Sequence, residues 1–525
     1  MKLSVLISLL FMSVVSAGPL SLTPMQKASD FYALTKIMET GYAMLEYKKT
    51  NILKEDYLQI KKRYFFDISK TRTDAEYYTL LFKYIHEFKD GHLYLDGVFN
   101  LDLAMLPVDF RYLEGKVVVS DIYITGTKFG IGDELIEFDG KPTASVLEEL
   151  APYYTGGGSA GHQLKGILQA IGYRSSNRLM PADGSSAVLK LKSRKTGSEY
   201  SDTEAWVIKK YSEIYSRGFR LPARLHSFYE NDGNWSFDPL YVQTLIRKQL
   251  MGSPVAGQRL EDNLTAEIIL YTSGSKQYKI GRIRVPDYDG WAIESFDTLL
   301  SGLADCDGLI LDQRDNPGGY IDLCQNLVSR FLDAPLTNLE FSVPLNRHWL
   351  NNVELKLKLY TQAQYPADQI AVVKTCRDTM YANANAGKKM SDFIPFFYAS
   401  KLQPAELKFL KPVLVLIDSG CFSCGDLVPA SFRQKDWMGK LKLFGETTGA
   451  GGGNVVQAGP LPLSETMFHV TASLARWGGK NIIENNGISP DVVSPYTISD
   501  LYSEAVENKN TYLEKACAEL VKMIN

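Results

Sequence analysis

In the stretch LVLIDSGCFSCGDLVPASFRQ, residues 414–434, Ser423 stands between Cys421 and Cys424, after an apolar run that reads as a strand and before one that reads as a helix. Three chemistries fit those residue types. A serine at a sharp strand-to-helix junction presents its hydroxyl at the edge of a sheet, where the N–H groups that open the helix can hold an oxyanion. The same serine could serve only as a helix cap. The Cys-x-x-Cys spacing fits a disulfide, a redox couple or half of a zinc site. Zinc, however, needs two further ligands, and no second cysteine pair or histidine cluster offers them at a recognisable spacing. A second loop, LDQRDNPGG at 311–319, also follows a strand-like run and ends in two glycines, which let backbone approach a bound group closely.

The elements that must position these loops can be read from the change in pattern along the chain. Residues 22–90 read as helical: TRTDAEYYTLLFKYIHEFKDGH opens with the capping box Thr73 and Glu76, carries Tyr78, Leu81, Phe82 and Ile85 on one face, and stops at Asp90-Gly91. His92 lies at that exit. From about 106 to 210 short strands with Gly-Asp and Asp-Gly turns take over, as in GKVVVSDI, GDELIEFDGKP and SSAVLKLKSRKTG, with one short helix, TASVLEEL. The Gly-rich YTGGGSAGHQ and the helix-like 163–172 read as an insertion. Residues 211–265 are polar and aromatic-rich without a clear period. Beyond them, the strands YKIGRIRV, GLILD, PVLVLID, LKLFGE and FHVTASLARW alternate with the helices AIESFDTLLSGLA, YIDLCQNLVSRFL and CGDLVPASF. That alternation implies a layered α/β core with its site at the strand ends.

Taken together, these pieces resemble the C-terminal-processing or tail-specific serine peptidase family. The family's strand-end pattern D-x-R-x-N-x-G-G is matched by Asp312, Arg314, Asn316, Gly318 and Gly319. Its serine turn is matched by Ser423 and Asp426, its Gly-Glu-x-Thr by Gly445, Glu446 and Thr448, and its G-x-x-P-D by Gly487 to Asp491. The strand-rich segment upstream resembles a permuted PDZ domain. The resemblance implies an α/β fold: a layered crotonase/Clp-protease-like catalytic core with an N-terminal helical segment and an inserted PDZ-like β domain. It also implies peptide-bond hydrolysis through an acyl-enzyme on Ser423, with protein or peptide substrates and no cofactor or metal.

One departure from the family pattern is informative. Many members pair the serine with a lysine just past Gly-Glu-x-Thr, but GETTGAGGGNV has Gly451 there. A serine hydroxyl is a weak nucleophile near neutral pH and needs a base. The branch resembling tricorn and the chlamydial protease-like activity factor takes it from a histidine ahead of the PDZ-like segment, which here is His92, oriented by a glutamate just before G-x-x-P-D, which is Glu484. Glu446 is the rival carboxylate. The same resemblance assigns the oxyanion donors to the backbone N–H of Cys424 and to that of Gly318 or Gly319. Of the six histidines, His86, His162, His226, His348 and His469 lie outside these motifs. Cys421 and Cys424 then read as small packing residues.

Composition bounds the rest. A formal charge of −3 over 525 residues gives no electrostatic footprint for nucleic acid, and six cysteines are too few for a disulfide scaffold. The opening MKLSVLISLLFMSVVSAGPL joins Lys2, an apolar run from Leu3 to Val15 and a small Ala17. This predicts a cleavable signal at 1–17, and hence a secreted or periplasmic protein with no integral membrane span. The sequons at Asn234 and Asn263 matter only in a eukaryotic secretory route. The expected organisation is an N-terminal helical segment at 18–105 carrying His92, a PDZ-like domain at 106–210, an unclassified linker or insertion at 211–265, an α/β serine peptidase core at 266–500 with a helical insertion at 350–410, and a C-terminal helix at 501–525. A homo-oligomer is compatible with all of this. Two other readings stay open on sequence: a non-catalytic ligand- or peptide-binding module of the same fold, and a thiol-disulfide protein using Cys421 and Cys424.

Overall fold

The computed structural model describes residues 22–96, 102–153, 157–175, 179–210, 255–257, 260 and 263–525. The expected signal at 1–17, most of 211–265, His226 and the sequon at Asn234 lie outside the described residues.

The core is a six-stranded sheet in the order Thr265–Ser273, Lys276–Arg284, Gly308–Asp312, Val413–Ile417, Leu441–Gly445, Val492–Val493. The first pair is an antiparallel hairpin and every later pairing is parallel. Strands buried on both faces are predominantly apolar, and Gly308–Asp312 and Val413–Ile417 are buried throughout, the one charge, Asp312, being paired with Arg282 and Arg314. The two-residue side-chain period divides their contacts. Val413, Val415 and Ile417 enter one apolar cluster, with residues of the helices Ile293–Gly302, Ile321–Ser329 and Cys424–Phe432. Leu414 and Leu416 enter another, with the helix Thr511–Ile524 and much of the PDZ-like region. Parallel strands therefore end on the same side, and both candidate loops, 313–319 and 418–423, leave from those ends.

Four helices, Pro24–Gly41, Leu45–Asn51, Tyr57–Ile68 and Asp74–His86, form the N-terminal segment around their own apolar cluster. Thr73 and Glu76 make the reciprocal capping box that the sequence signals. Just past His92, the strand Tyr94–Asp96 pairs antiparallel with Met467–His469, which ties the segment to the core. The PDZ-like region forms a sheet through Lys116–Ile122, Glu134–Phe138, Ser186–Lys192 and Glu199–Ala205, with the helices Thr143–Leu150 and Ala160–Gly172. In the interruption expected at 350–410 stand two helices, Arg347–Gln362 and Ala367–Asn385. Among the described residues no helix is long and apolar enough to cross a membrane.

Two elements differ from their sequence readings. The C-terminal helix expected at 501–525 is two helices, Ile498–Ala505 and Thr511–Ile524, separated by the turn at 506–510. FHVTASLARW is two strands in two sheets, Met467–Thr471 and Leu474–Trp477. The loop that follows Gly-Glu-x-Thr crosses the chain at the break: Ala472 N–H donates to Asn454 O at 2.6 Å, and Asn454 N–H to Ser473 Oγ at 2.8 Å. A Cβ at Gly453 would overlap Ser473 O, so the crossing requires a glycine.

Candidate active site

Ser423 immediately precedes the helix Cys424–Phe432, yet its side chain makes no capping hydrogen bond. Its backbone stands at φ 55°, ψ −117°, a region costly for any residue with a Cβ. Tertiary contacts hold it there. Phe422 N–H donates to Asn316 O at 2.8 Å, Gly449 N–H to Cys421 O at 2.6 Å, and Asp426 N–H to Ser423 O at 2.8 Å. The result is a strained strand-to-helix turn that leaves the hydroxyl free of capping duty, the arrangement a nucleophilic serine requires.

The Gly-Gly loop packs directly on this turn. A Cβ on Gly318, which has φ +106°, would lie 2.6 Å from Ser423 Cβ and 2.9 Å from Cys424 N. Cys424 N–H is the first of its helix and has no intrahelical partner. Gly318 N–H donates to Asn316 Oδ1 at 2.9 Å, which fixes the loop beside Ser423. Gly318→Ala is expected to lower kcat/KM by about a hundredfold or more, because the added methyl displaces both the serine and the donor beside it. Peptide cleavage by a variant shown to be folded measures this, and near-normal activity would mean that the loop has room to spare.

Cys421 and Cys424 are fully buried, and all six cysteines are free. Their thiols turn to different carbonyls, Cys421 to Gln313 O at 2.9 Å and Cys424 to Gly319 O at 3.1 Å. Burial pushes both thiols well up, the opposite of what a reactive cysteine needs. Among the described residues no group of three metal-ligating side chains occurs. Cys421→Ala and Cys424→Ser are expected to keep most peptidase activity; a loss in either variant as deep as that of Ser423→Ala would return the thiols to consideration.

His92 is fully buried, and its ring lies against that of Phe422, with centroids 4.7 Å apart. The structure therefore brings it against the residue adjoining Ser423. Its turn is fixed by Asp90, which accepts His92 N–H at 2.9 Å, Tyr42 Oη–H at 2.8 Å and Thr471 Oγ1–H at 2.7 Å. Glu484 is also fully buried. Its neighbour Asn485 donates to Lys89 O at 3.0 Å and accepts Lys48 Nζ at 2.6 Å, which keeps the glutamate loop against the histidine turn. The Glu484 carboxylate itself pairs with Lys48 through Oε1. Burial pushes its pKa up to about 8, against the pull of Lys48, with Asp90 and Asp426 adding to the rise.

The missing lysine has a steric explanation. A Cβ at Gly451 would overlap the Phe422 ring, and one at Gly452 would overlap Ile483. The loop instead wraps Asp426, which accepts Ala450 N–H at 2.8 Å, Gly451 N–H at 2.9 Å and the Thr448 hydroxyl. Burial raises the Asp426 carboxyl to about 6, with these three donors opposing the rise. Thr448 Oγ1 also accepts Ile488 N–H at 2.8 Å, so the Gly-Glu-x-Thr, serine-turn and G-x-x-P-D segments meet at one buried acid. Glu446 stands apart from this group. It is partly buried near Asp418, and burial, with Asp418 adding to it, raises its pKa to about 7.

Sequence reasoning passed over two residues. His162 also stacks on Phe422, with centroids 4.6 Å apart, and its Nδ1–H donates to Ser419 O at 2.8 Å. Its helix also sends Lys165 to Asp315 at 2.8 Å, beside Arg111 at 2.8 Å, so the PDZ-like region is pinned to the Gly-Gly loop. Those two cations override burial and hold the Asp315 carboxyl well below its usual range. Lys48, fully buried, is the other. The glycines ahead of His162 were the available signal for it: Gly157 and Gly158 leave no room for a Cβ against the histidine turn and Gly449, respectively.

Comparison with known proteins agrees with this architecture. Residues 279–494 match the Peptidase family S41 model and residues 102–213 match a PDZ domain. An uncharacterized protein of Chlamydia muridarum is 25% identical over 98% of this chain and 97% of its own length, and a protein of Chlamydia pneumoniae is 23% identical over 99% and 95%. Among solved structures, mature CPAF superposes with a TM-score of 0.76 at 20% identity, covering 95% of this chain and 98% of its own. Mature CPAF complexed with lactacystin gives 0.74 at 20% identity, covering 95% and 99%. The chain thus carries a serine peptidase domain that matches family S41 over residues 279–494, joined to a PDZ domain at 102–213.

Proposed function

We propose that this chain is an exported endopeptidase that cleaves proteins or peptides through an acyl-enzyme on Ser423, with His92 as the general base and Glu484 as the carboxylate that orients it. The observation that carries the reading is the strained, non-capping turn at Ser423, with His92 packed on the adjoining Phe422. Export rests on the Lys2-to-Ala17 pattern alone.

In this scheme His92 takes the Ser423 proton as Oγ attacks the peptide carbonyl carbon. The carbonyl electron pair moves onto oxygen, where Cys424 N–H and a backbone N–H of the Gly318-Gly319 loop stabilise it. Collapse breaks the C–N bond, and the imidazolium returns its proton to the leaving amine. Water, deprotonated by the same imidazole, then releases the acid and restores Ser423. Glu484 lowers the energy of the imidazolium in both halves without itself being protonated. The PDZ domain supplies sheet edges on which an extended peptide can add as a strand.

The test is hydrolysis of casein by the purified chain, before and after treatment with a fluorophosphonate and, separately, with a thiol alkylator. The expected result is loss of cleavage with the first reagent only. Cleavage that survives the fluorophosphonate but not the alkylator would overturn the reading.

A further inference from the structure

Lys48 belongs to the short helix Leu45–Asn51, in the run EYKKT, where charge alone would leave both lysines at the surface. Lys49 fits that reading, paired at the surface with Glu46 at 2.8 Å. Lys48 does not. It is 0% exposed, and its ammonium has three acceptors: Glu484 Oε1, Asn485 Oδ1 at 2.6 Å and Lys89 O at 3.2 Å. Three acceptors match the three N–H bonds of an ammonium. Two of them belong to the loop that carries Glu484, and the third to the turn that presents His92.

We infer that Lys48 is a positioning residue of the peptidase site, holding the Glu484 carboxylate and the His92 turn in one arrangement. The inference rests on the triad reading above and adds to it a fourth member drawn from the N-terminal helical segment. A buried lysine could merely neutralise a buried acid, but this one also fastens main chain on the histidine side, and the two roles have different consequences.

The consequence lies in which form of Glu484 exists at working pH. The groups that act on it come from every side. Lys48 favours the carboxylate, while Asp90, on the turn of His92, and Asp426, on the helix after Ser423, oppose it. Tyr47 donates to Glu484 O at 3.0 Å, and Tyr42 stands across Asp90. With Lys48 in place, burial already raises the Glu484 pKa to about 8. Without the ammonium the protonated acid is favoured still further. A protonated Glu484 cannot stabilise the imidazolium. The sign follows: activity rises with pH as Glu484 ionises, and loss of Lys48 moves that rise to higher pH.

The experiment is the pH profile of kcat/KM for peptide cleavage by the full chain carrying Lys48→Gln, Lys48→Arg or Glu484→Gln. Lys48→Gln is expected to be about tenfold or more slower at pH 7, with its rising limb displaced upward by about one unit or more, and Lys48→Arg is expected to recover most of the loss. Glu484→Gln is expected to abolish the rise that Lys48→Gln displaces. A Lys48→Gln enzyme with the wild-type limb, beside an impaired Glu484→Gln, would overturn the role of Lys48 and leave the triad standing. A fully active Glu484→Gln would instead overturn the triad reading, and with it this inference. Should Lys48→Gln fail to fold, the double variant Lys48→Gln/Glu484→Gln carries the test, since removing both charges leaves no buried ion unpaired. It is expected to match Glu484→Gln, and a rate clearly below that would count against Lys48 acting through the carboxylate.

Discussion

Ser423→Ala is expected to lower peptide hydrolysis by about a thousandfold or more while leaving the fold intact, because it removes the atom that forms the acyl-enzyme and leaves only the oxyanion donors and substrate binding. The substitution is sterically mild. The Ser423 side chain makes no capping bond, so its loss leaves no helix N–H newly unpaired. The backbone at φ 55° is as costly for alanine as for serine, and the contacts of Phe422, Gly449 and Asp426 that hold the turn are all main-chain. Thermal unfolding should therefore be nearly unchanged. Activity retained within tenfold would remove Ser423 from the chemistry, whereas activity lost together with the fold would show the hydroxyl to be structural.

His92→Ala is expected to cost nearly as much, about a thousandfold, and the double variant Ser423→Ala/His92→Ala no more than either single one. Base and nucleophile act as a unit, so once one is gone the other has nothing to contribute. A base is indispensable because the site has no room for the lysine other members use: any side chain at Gly451 meets the Phe422 ring. The other histidines inside the fold are engaged differently. His162 Nδ1 is committed to Ser419 O, and His469, stacked on Tyr94 with centroids 4.3 Å apart, is pushed down to about 4 by burial, too weak a base for neutral pH. A His92→Ala enzyme with more than a tenth of wild-type kcat/KM would mean that another group takes the proton.

Much of this site was legible in the sequence because its parts are local. The helix CGDLVPASF and the strands GLILD and LVLI announce themselves by apolar runs of the right length, and Gly318 by a doubled glycine that backbone contact demands. What stayed hidden depends on distant partners. Lys48 and Glu484 are 436 residues apart, and nothing in EYKKT distinguishes the lysine that goes inside from the one that stays out. The break in FHVTASLARW is imposed by a loop crossing from Asn454, so strand propensity alone read through it. His162 lies in a Gly-rich stretch that reads as an insertion. Its glycines are small because the segment threads between the histidine turn and Gly449, where no Cβ fits. The hydrogen bond from Gly318 N–H to Asn316 Oδ1 is likewise encoded by no motif.

The most direct test of the account is to react the purified chain briefly with a fluorophosphonate near neutral pH and to locate the adduct by peptide mass spectrometry, in the wild type and in His92→Ala. A single adduct on Ser423 is expected, forming quickly in the wild type and at least about a hundredfold more slowly without His92. An adduct on any other residue, or labelling of Ser423 at the same rate in both proteins, would contradict it.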